Sequence, residues 1–307
     1  MYIEYLSASR ASTWIDCGFR YFLQYHMALD ELNQPRIASE KGSAVHQSLE
    51  DHVNGKDYED SLKRYYAESK LWMLDDRKTG FKHPVEKNCS KCQWAIHNGS
   101  ETLCSIAQRD VKDVEGCPKP NFEDDLKLVK DLINKDESPL TGKIIGAEIP
   151  FDMEIEGVRV LGYIDLVVEE SEDTIWVVDY KSGSYTKDYD EATKDLQMRI
   201  YSLVVKRLFP QYKYALMTLY YLRKEPVTVS FSDEDDEKTI AYIKKLYQEI
   251  VEDKDPLQIQ SFRCKYWCIG FDKCNSIKKN YLDESGKFVL PEPVKRESGR
   301  RLPTVEE

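Results

Sequence analysis

The sequence predicts an α/β fold in which a central mixed β-sheet is flanked by helices and carries a small cysteine-rich, metal-binding insertion. Three observations predict it. Between Gly146 and Lys181 three strand-like runs follow one another, and the last holds Ile175-Trp176-Val177-Val178, the β-branched and aromatic stretch of a buried strand. The segments around them repeat their apolar residues at helical spacing. From about Lys78 to Pro120 that periodicity fades while four cysteines appear.

In chain order, Ser9 to Tyr25 is predicted as a helix, since Trp14, Cys17, Tyr21 and Tyr25 recur near helical spacing behind Ser7 or Ser9 as a cap. A second helix, about Ser39 to Val53, sets His46, Leu49 or Glu50, and Val53 along one face. Asp60 to Leu74 is amphipathic, and Phe122 to Asn134 restores the helical pattern after the insertion. The strands are Gly146 to Glu154, Val158 to Glu169 and Thr174 to Lys181. A long helix, Asp188 to Phe209, follows, then strands Tyr214 to Leu222 and Pro226 to Phe231, and a helix Asp233 to Val251. The chain thus divides into an N-terminal helical part (1–77), the cysteine-rich insertion (78–120), an α/β core (121–257), a second cysteine segment (258–283) and a polar tail (284–307) expected to be mobile.

With 307 residues and 41% hydrophobic content the chain can bury an ordinary core, as one large domain or two small ones. No run approaches the roughly 18 consecutive apolar residues of a membrane span. Met1-Tyr2-Ile3-Glu4 lacks the regions of a secretory signal, so an intracellular location is expected. A net charge of −11 argues against a coat of non-specific nucleic-acid affinity. It leaves room for a basic groove, because much of the acidity lies in local runs such as Asp233 to Glu237, and divalent-cation sites themselves need carboxylates.

Asp165 and Asp179 end two adjacent predicted strands, 14 residues apart, and Lys181 follows Asp179 by two. Side-chain direction repeats every two residues along a strand, so Asp179 and Lys181 face the same way. Two acids at one sheet edge would bind Mg²⁺ or Mn²⁺ through oxygen, and the ammonium would orient water or stabilise charge developing on a phosphate. The plain alternative is a pair of solvent-facing acids with a surface lysine, which a lone Asp-x-Lys triplet does not exclude.

Context weighs against that alternative. Gly42-Ser43-Ala44-Val45-His46, Gly162-Tyr163-Ile164-Asp165, Asp179-Tyr180-Lys181-Ser182-Gly183 and Gln197-Met198-Arg199-Ile200-Tyr201 occur in the order seen in RecB-type nucleases of the PD-(D/E)XK superfamily, which the chain resembles over roughly positions 7 to 275. The resemblance implies a restriction-endonuclease-like core and a metal-dependent DNA nuclease, an exonuclease acting on DNA ends or single strands in recombination, repair or replication. It implies that His46, Asp165 and Asp179 bind the metal, that Lys181 is catalytic, and that Gln197 and Tyr201 support the site and contact DNA. An imidazole beside carboxylates suits Mn²⁺ better than an all-oxygen set would. Glu148 stands where family members often carry an acid, yet a solvent-facing strand end explains it almost as well. Glu50, one turn beyond His46, is a candidate for steadying that ring.

The eight cysteines fall into two sets of four, and in a reducing compartment metal binding is a better reading than disulfides. Cys264, Cys268 and Cys274 form C-x₃-C-x₅-C, and Cys17 can supply a fourth thiolate. A subset of RecB-like nucleases holds a [4Fe–4S] cluster in this one-plus-three layout, so the resemblance implies a cluster on these four. Family members more often have two residues between the first two cysteines of the trio, and the three found here keep zinc open as an alternative. Cys89, Cys92, Cys104 and Cys117, with His83 and His97 nearby, make the pattern of a tetrahedral, structural Zn²⁺ site that would organise a segment without an apolar core of its own. No G-x-x-x-x-G-K-[ST] loop is present, so the chain has no motor of its own and either works alone or joins a separate helicase or recombination partner. Its compact size fits a gene of a virus or mobile element. A non-catalytic nucleic-acid-binding metalloprotein that keeps the nuclease fold is the alternative function.

Overall fold

A computed structural model gives the structure of the chain and describes residues 1, 3–29, 37–69, 89–98, 101–114, 117–259, 264, 268 and 274–294. The principal elements are α1 (Ala8–Asp16), α2 (Gly18–Tyr21), a π-helical turn (Phe22–His26), α3 (Ile37–Val53), α4 (Tyr58–Ser69), β1 (Ala95–Asn98), β2 (Glu101–Cys104), β3 (Arg109–Asp110), α5 (Lys119–Ile133), β4 (Lys143–Ile155), β5 (Val158–Ser171), β6 (Thr174–Lys181), α6 (Tyr189–Thr193), α7 (Leu196–Leu208), β7 (Tyr214–Tyr221), β8 (Val227–Ser230), α8 (Asp233–Glu252) and a short helix Cys274–Lys279. They fall into two compact units. One comprises Met1–Gln34, Pro150–Tyr163 and Ser232–Glu307, the other Pro35–Ile149 and Ile164–Phe231.

The larger sheet has the order β4-β5-β6-β7-β8. It is mixed, because β5 pairs β6 antiparallel, α6 and α7 carry the chain over to a parallel β7, and β8 returns antiparallel. In β6 alternate side chains serve opposite faces. Trp176, Val178 and Tyr180 pack with Val45 and Leu49 of α3 and Val129 and Leu132 of α5, so Asp179 and Lys181 point to the other face, where Lys181 reaches α7. Each large side chain buried in such a layer contributes about 1.5–3 kcal/mol. The mixed sheet between helices is the fold class expected from the sequence.

The cysteine-rich segment departs from expectation. It folds as an antiparallel sheet, β1-β2-β3, and it does have a core, lent by its neighbours. Ile106 is fully buried with Tyr66 of α4 and with Phe122 and Leu126 of α5, and Trp94 packs on the same cluster. The fading periodicity hid this because only isolated residues of the segment face inward.

In the unit that holds both ends of the chain, Leu6 bridges Val160 of β5, with Leu6 N–H donating to the Arg159 carbonyl at 2.8 Å. The N-terminal ammonium donates to the carbonyls of Ile250 and Val251, each at 2.8 Å, closing orphan acceptors at the end of α8. Gly162 lies against the Phe151 ring so closely that a Cβ would stand 2.6 Å from Phe151 Cζ. A side chain there would force the Phe151 ring to shift.

Three further expectations are corrected. The first helix breaks at Cys17, which is extended (φ −171°, ψ 110°), and its cap is Ser7, whose hydroxyl accepts from Arg10 N–H. The long helix from Asp188 breaks after Thr193, because the Asp195 carboxylate accepts from Met198 N–H and starts a new helix. The tail is anchored as far as residue 294. Phe288, 6% exposed, packs edge-on against Phe22 at 5.4 Å between ring centroids, and Val294 N–H donates to the His26 carbonyl. Residues 70–74 of the third predicted helix and 295–307 of the tail lie outside the described residues. Among the described residues no helix is long and apolar enough to cross a membrane.

Candidate active site

The site residues come from α3, β4, β5, β6 and α7, and His46, Glu148, Asp165, Asp179, Lys181, Gln197 and Tyr201 all belong to the second unit. The backbone of Tyr180 organises it. Tyr180 N–H donates to Asp165 Oδ2 at 2.8 Å, and the Tyr180 carbonyl accepts from His46 Nε2 at 2.9 Å. A carbonyl only accepts, so Nε2 carries the proton, and in the neutral ring the lone pair is on Nδ1. Nδ1 lies 3.4 Å from Asp165 Oδ2. The ring is thus held by one nitrogen and offers the other toward the acid, the arrangement found where an imidazole binds a metal.

Glu148 completes this corner. Among the described residues, His46, Glu148 and Asp165 form the group whose ligand atoms all lie within 4.8 Å of one another. The carboxylate is brought in by the backbone. Glu148 has φ +48°, left-handed, in the interior of β4, and such local reversals re-aim side chains at functional sites. The solvent-facing reading of Glu148 is therefore corrected, and no signal in the residue string marks the reversal.

Asp179 stands beside the trio at 2% exposure, its Oδ2 2.5 Å from Lys181 Nζ. Lys181 Nζ also donates to Gln197 Oε1 at 3.2 Å, and Gln197 Nε2 donates to the Tyr201 hydroxyl at 2.8 Å. One helical turn separates Gln197 from Tyr201, so a single face of α7 supplies both groups. The expected residues His46, Asp165, Asp179, Lys181, Gln197 and Tyr201 all converge. Glu50 does something else, accepting from Gln47 Nε2 at 2.7 Å.

The electrostatics are those of an anionic pocket. Burial pulls the His46 imidazole down, but Asp165, Asp179 and Glu148 outweigh it and raise its pKa to about 9. Burial raises Asp179, and the neighbouring Asp165 adds to this. Burial also raises Asp165, yet His46 and the Tyr180 N–H hold it below the usual carboxylate range. Burial lowers Lys181, and Asp179 and Asp165 more than compensate, so its amine stays charged. With His46 protonated, the pocket sets three acids against an imidazolium and an ammonium, so a cation taken up at His46 would displace the Nδ1 proton.

The cysteines remain as thiols at intermediate burial. Among the described residues neither set brings three sulfurs within 4.8 Å of one another. His97, expected as a spare ligand, has Nδ1 3.0 Å from the Thr102 hydroxyl, and His83 lies outside the described residues.

A family profile described as the PD-(D/E)XK nuclease superfamily matches residues 5–274. Among solved structures, a candidate exonuclease from Eubacterium rectale is similar at 12% identity and a TM-score of 0.49, over 95% of this chain and 91% of that one. A protein designated SSO0001 is similar at 14% identity and a TM-score of 0.32, over 52% of this chain and 72% of that one. No curated protein matches the chain by sequence.

Proposed function

Because the chain belongs to the PD-(D/E)XK nuclease superfamily, we propose that it is a metal-dependent DNA nuclease of the RecB-like kind that hydrolyses phosphodiester bonds as an exonuclease on DNA ends or single strands. The observation that carries this reading is the convergence of His46, Glu148 and Asp165 within 4.8 Å, beside a lysine that is held charged.

The donor set, two carboxylates and an imidazole nitrogen, fits Mn²⁺ or Mg²⁺. His46, Glu148 and Asp165 would hold the ion, with Asp179 flanking them. Bound there, it supplies Lewis acidity toward the scissile phosphate. Lys181 presents its ammonium to the non-bridging phosphate oxygens, where negative charge grows in the transition state. Asp179 keeps that amine protonated, and Gln197 fixes its direction at 3.2 Å. Tyr201 steadies the Gln197 amide. DNA unwinding would come from a separate motor protein.

The test is digestion of end-labelled single- and double-stranded DNA with Mn²⁺. Lys181→Ala and Asp179→Asn should lose cleavage while retaining DNA binding, and mononucleotide release from the wild type marks exonuclease action. Unchanged cleavage in both variants refutes the assignment.

Cys17, Cys264, Cys268 and Cys274 are read as ligands of the iron–sulfur cluster of the RecB-like subset. In support, burial raises the Cys274 thiol, and Cys17, Cys268 and Cys264 are each near enough to raise it further. Gln258 Nε2 donates to Cys274 Sγ at 3.0 Å, the kind of contact that tunes cluster sulfurs. An anaerobic preparation should be brown and Cys274→Ala colourless; a colourless, fully active wild type would overturn the cluster.

A further inference from the structure

The segment from Lys181 to α6 carries the two most exposed aromatic residues among the described residues, Tyr185 at 68% and Tyr189 at 59%. Exposed rings scattered singly need no explanation; these two share the loop and helix start that follow the catalytic lysine. The loop is braced at both ends. At its start Arg223 Nε donates to the Ser182 carbonyl at 3.2 Å, while the other guanidinium nitrogens donate to the two carboxylate oxygens of Asp124 in α5 at 3.2 and 2.7 Å. At its end Lys187 N–H donates to the Tyr221 hydroxyl at 2.8 Å, and Tyr221 is the register partner of Lys181, so the loop returns to a side chain of the strand position beside that amine. The Lys187 ammonium pairs with Asp195, the acid that starts α7. Tyr185 is tethered too. Its hydroxyl donates to Glu191 Oε1 at 2.9 Å, and Glu191 Oε2 accepts from Asp188 N–H at 3.0 Å in the capping box of α6. Between Lys181 and Tyr185 a Cβ on Gly183 would meet nothing within 4 Å, so space is open at that point of the loop.

A ring fixed by its hydroxyl and exposed to water, on the loop that begins at a phosphate-binding amine, is the arrangement of a base-stacking platform. Granted the nuclease reading, on which this rests, we propose that Tyr185, with Tyr189 beyond it, stacks an unpaired base of the strand whose phosphate lies at Lys181, so that single-stranded DNA or a frayed end is the preferred substrate. In a duplex each base is already stacked on its neighbours and shows the grooves only its edge. An unstacked strand offers faces, and every base has one, so the platform tolerates any sequence. The charges that brace the loop are matched, Arg223 with Asp124 and Lys187 with Asp195. Its grip on the strand therefore comes from stacking rather than from neutralising phosphates.

The experiment uses the full chain with Ca²⁺ in place of Mn²⁺ and two labelled strands of equal length as probes, oligothymidylate and a strand of abasic residues with the same phosphates. The wild type should bind oligothymidylate more tightly than the abasic strand. Tyr185→Ala should weaken binding of oligothymidylate by about 5–100-fold and leave the abasic strand and a blunt duplex unchanged. Tyr185→Phe keeps the ring and should retain most of the affinity. A wild type that binds the two strands alike, or neither, overturns the platform, and this comparison needs no variant, so misfolding of one leaves it decisive. A folded Tyr185→Ala protein that keeps the preference, or loses both strands equally, overturns it as well. Lost self-association in that variant with oligonucleotide binding intact would assign the rings to a second copy of the chain instead. Cleavage is scored separately with Mn²⁺. A wild type that binds through Tyr185 but cuts no DNA removes the nuclease reading alone, whereas undiminished single-strand cleavage by Tyr185→Ala at limiting substrate removes the platform alone.

Discussion

Glu148 is the residue whose backbone and side chain make opposite demands, and that conflict can be measured. It sits at φ +48° inside β4, a conformation that costs a side-chain-bearing residue about 1–2 kcal/mol. Alanine there keeps the cost and loses the carboxylate. Glycine loses the carboxylate as well but enters the conformation freely, against about 0.5–1 kcal/mol of extra chain entropy in the unfolded state. Glu148→Gly should therefore be more stable than Glu148→Ala by about 0.5–1 kcal/mol, a difference that isolates the backbone contribution. Urea unfolding of both variants in EDTA gives the comparison. Both should also need at least about 10–100-fold more Mn²⁺ for half-maximal cleavage, since they lack a ligand of the ion. A glycine variant less stable than the alanine variant would show that the left-handed turn stores no strain. Wild-type cleavage at limiting Mn²⁺ would remove Glu148 from the metal site.

Three further outcomes are expected. Asp51, 1% exposed, accepts from Ser61 at 2.5 Å and from Lys56 and Arg64 at 2.7 Å each. Burial raises its pKa, but Lys56, Ser61 and Arg64 outweigh that and hold it low, so its contribution is present above the unfolded carboxylate pKa and is lost as pH falls through the folded one. Asp51→Asn should cost about 1–3 kcal/mol at neutral pH and flatten the acid limb of the stability curve; a parallel shift at all pH values contradicts the pairing. Gln197→Ala should lower kcat by up to about 10²-fold through misplacement of Lys181, and Tyr201→Phe by less, because Gln197 still reaches the lysine; equal losses contradict that order. Phe288→Ala should cost about 3 kcal/mol by emptying its place among Phe19, Phe22 and Tyr281, and a loss under about 1 kcal/mol means the segment after residue 283 is not anchored.

What the sequence made legible is what repeats or what is spaced. β6 reads directly from Thr174 to Lys181 because a doubly covered strand is a continuous β-branched and aromatic run, and its bounds coincide with those observed. His46 and Leu49 share the face of α3 that periodicity assigns, and Gln197 and Tyr201 share one of α7. The illegible features are single-residue events with tertiary causes. Cys17 leaves the helix although its neighbours keep the helical pattern, Asp195 restarts one inside an apparently unbroken run, and one phenylalanine anchors a polar tail. Each sets a local preference against a distant partner, which a sliding pattern averages away.

The expected ligands and the group of donor atoms brought together differ for the same kind of reason. Strand alternation correctly puts Asp179 and Lys181 on one face, but side chains two residues apart on a strand can also satisfy each other, and here they stand 2.5 Å apart. Asp179 pairs with the lysine, and Glu148, at φ +48°, brings a carboxylate within 4.8 Å of His46 and Asp165. The ammonium would otherwise face desolvation unpaired, which in a buried site favours loss of its proton. The division of labour follows from that charge balance: His46, Glu148 and Asp165 are disposed to hold a cation, while Asp179 maintains a second, fixed positive charge at Lys181. A phosphate entering the site would then meet positive charge from two directions, from an ion that exchanges with solvent and from an amine that does not.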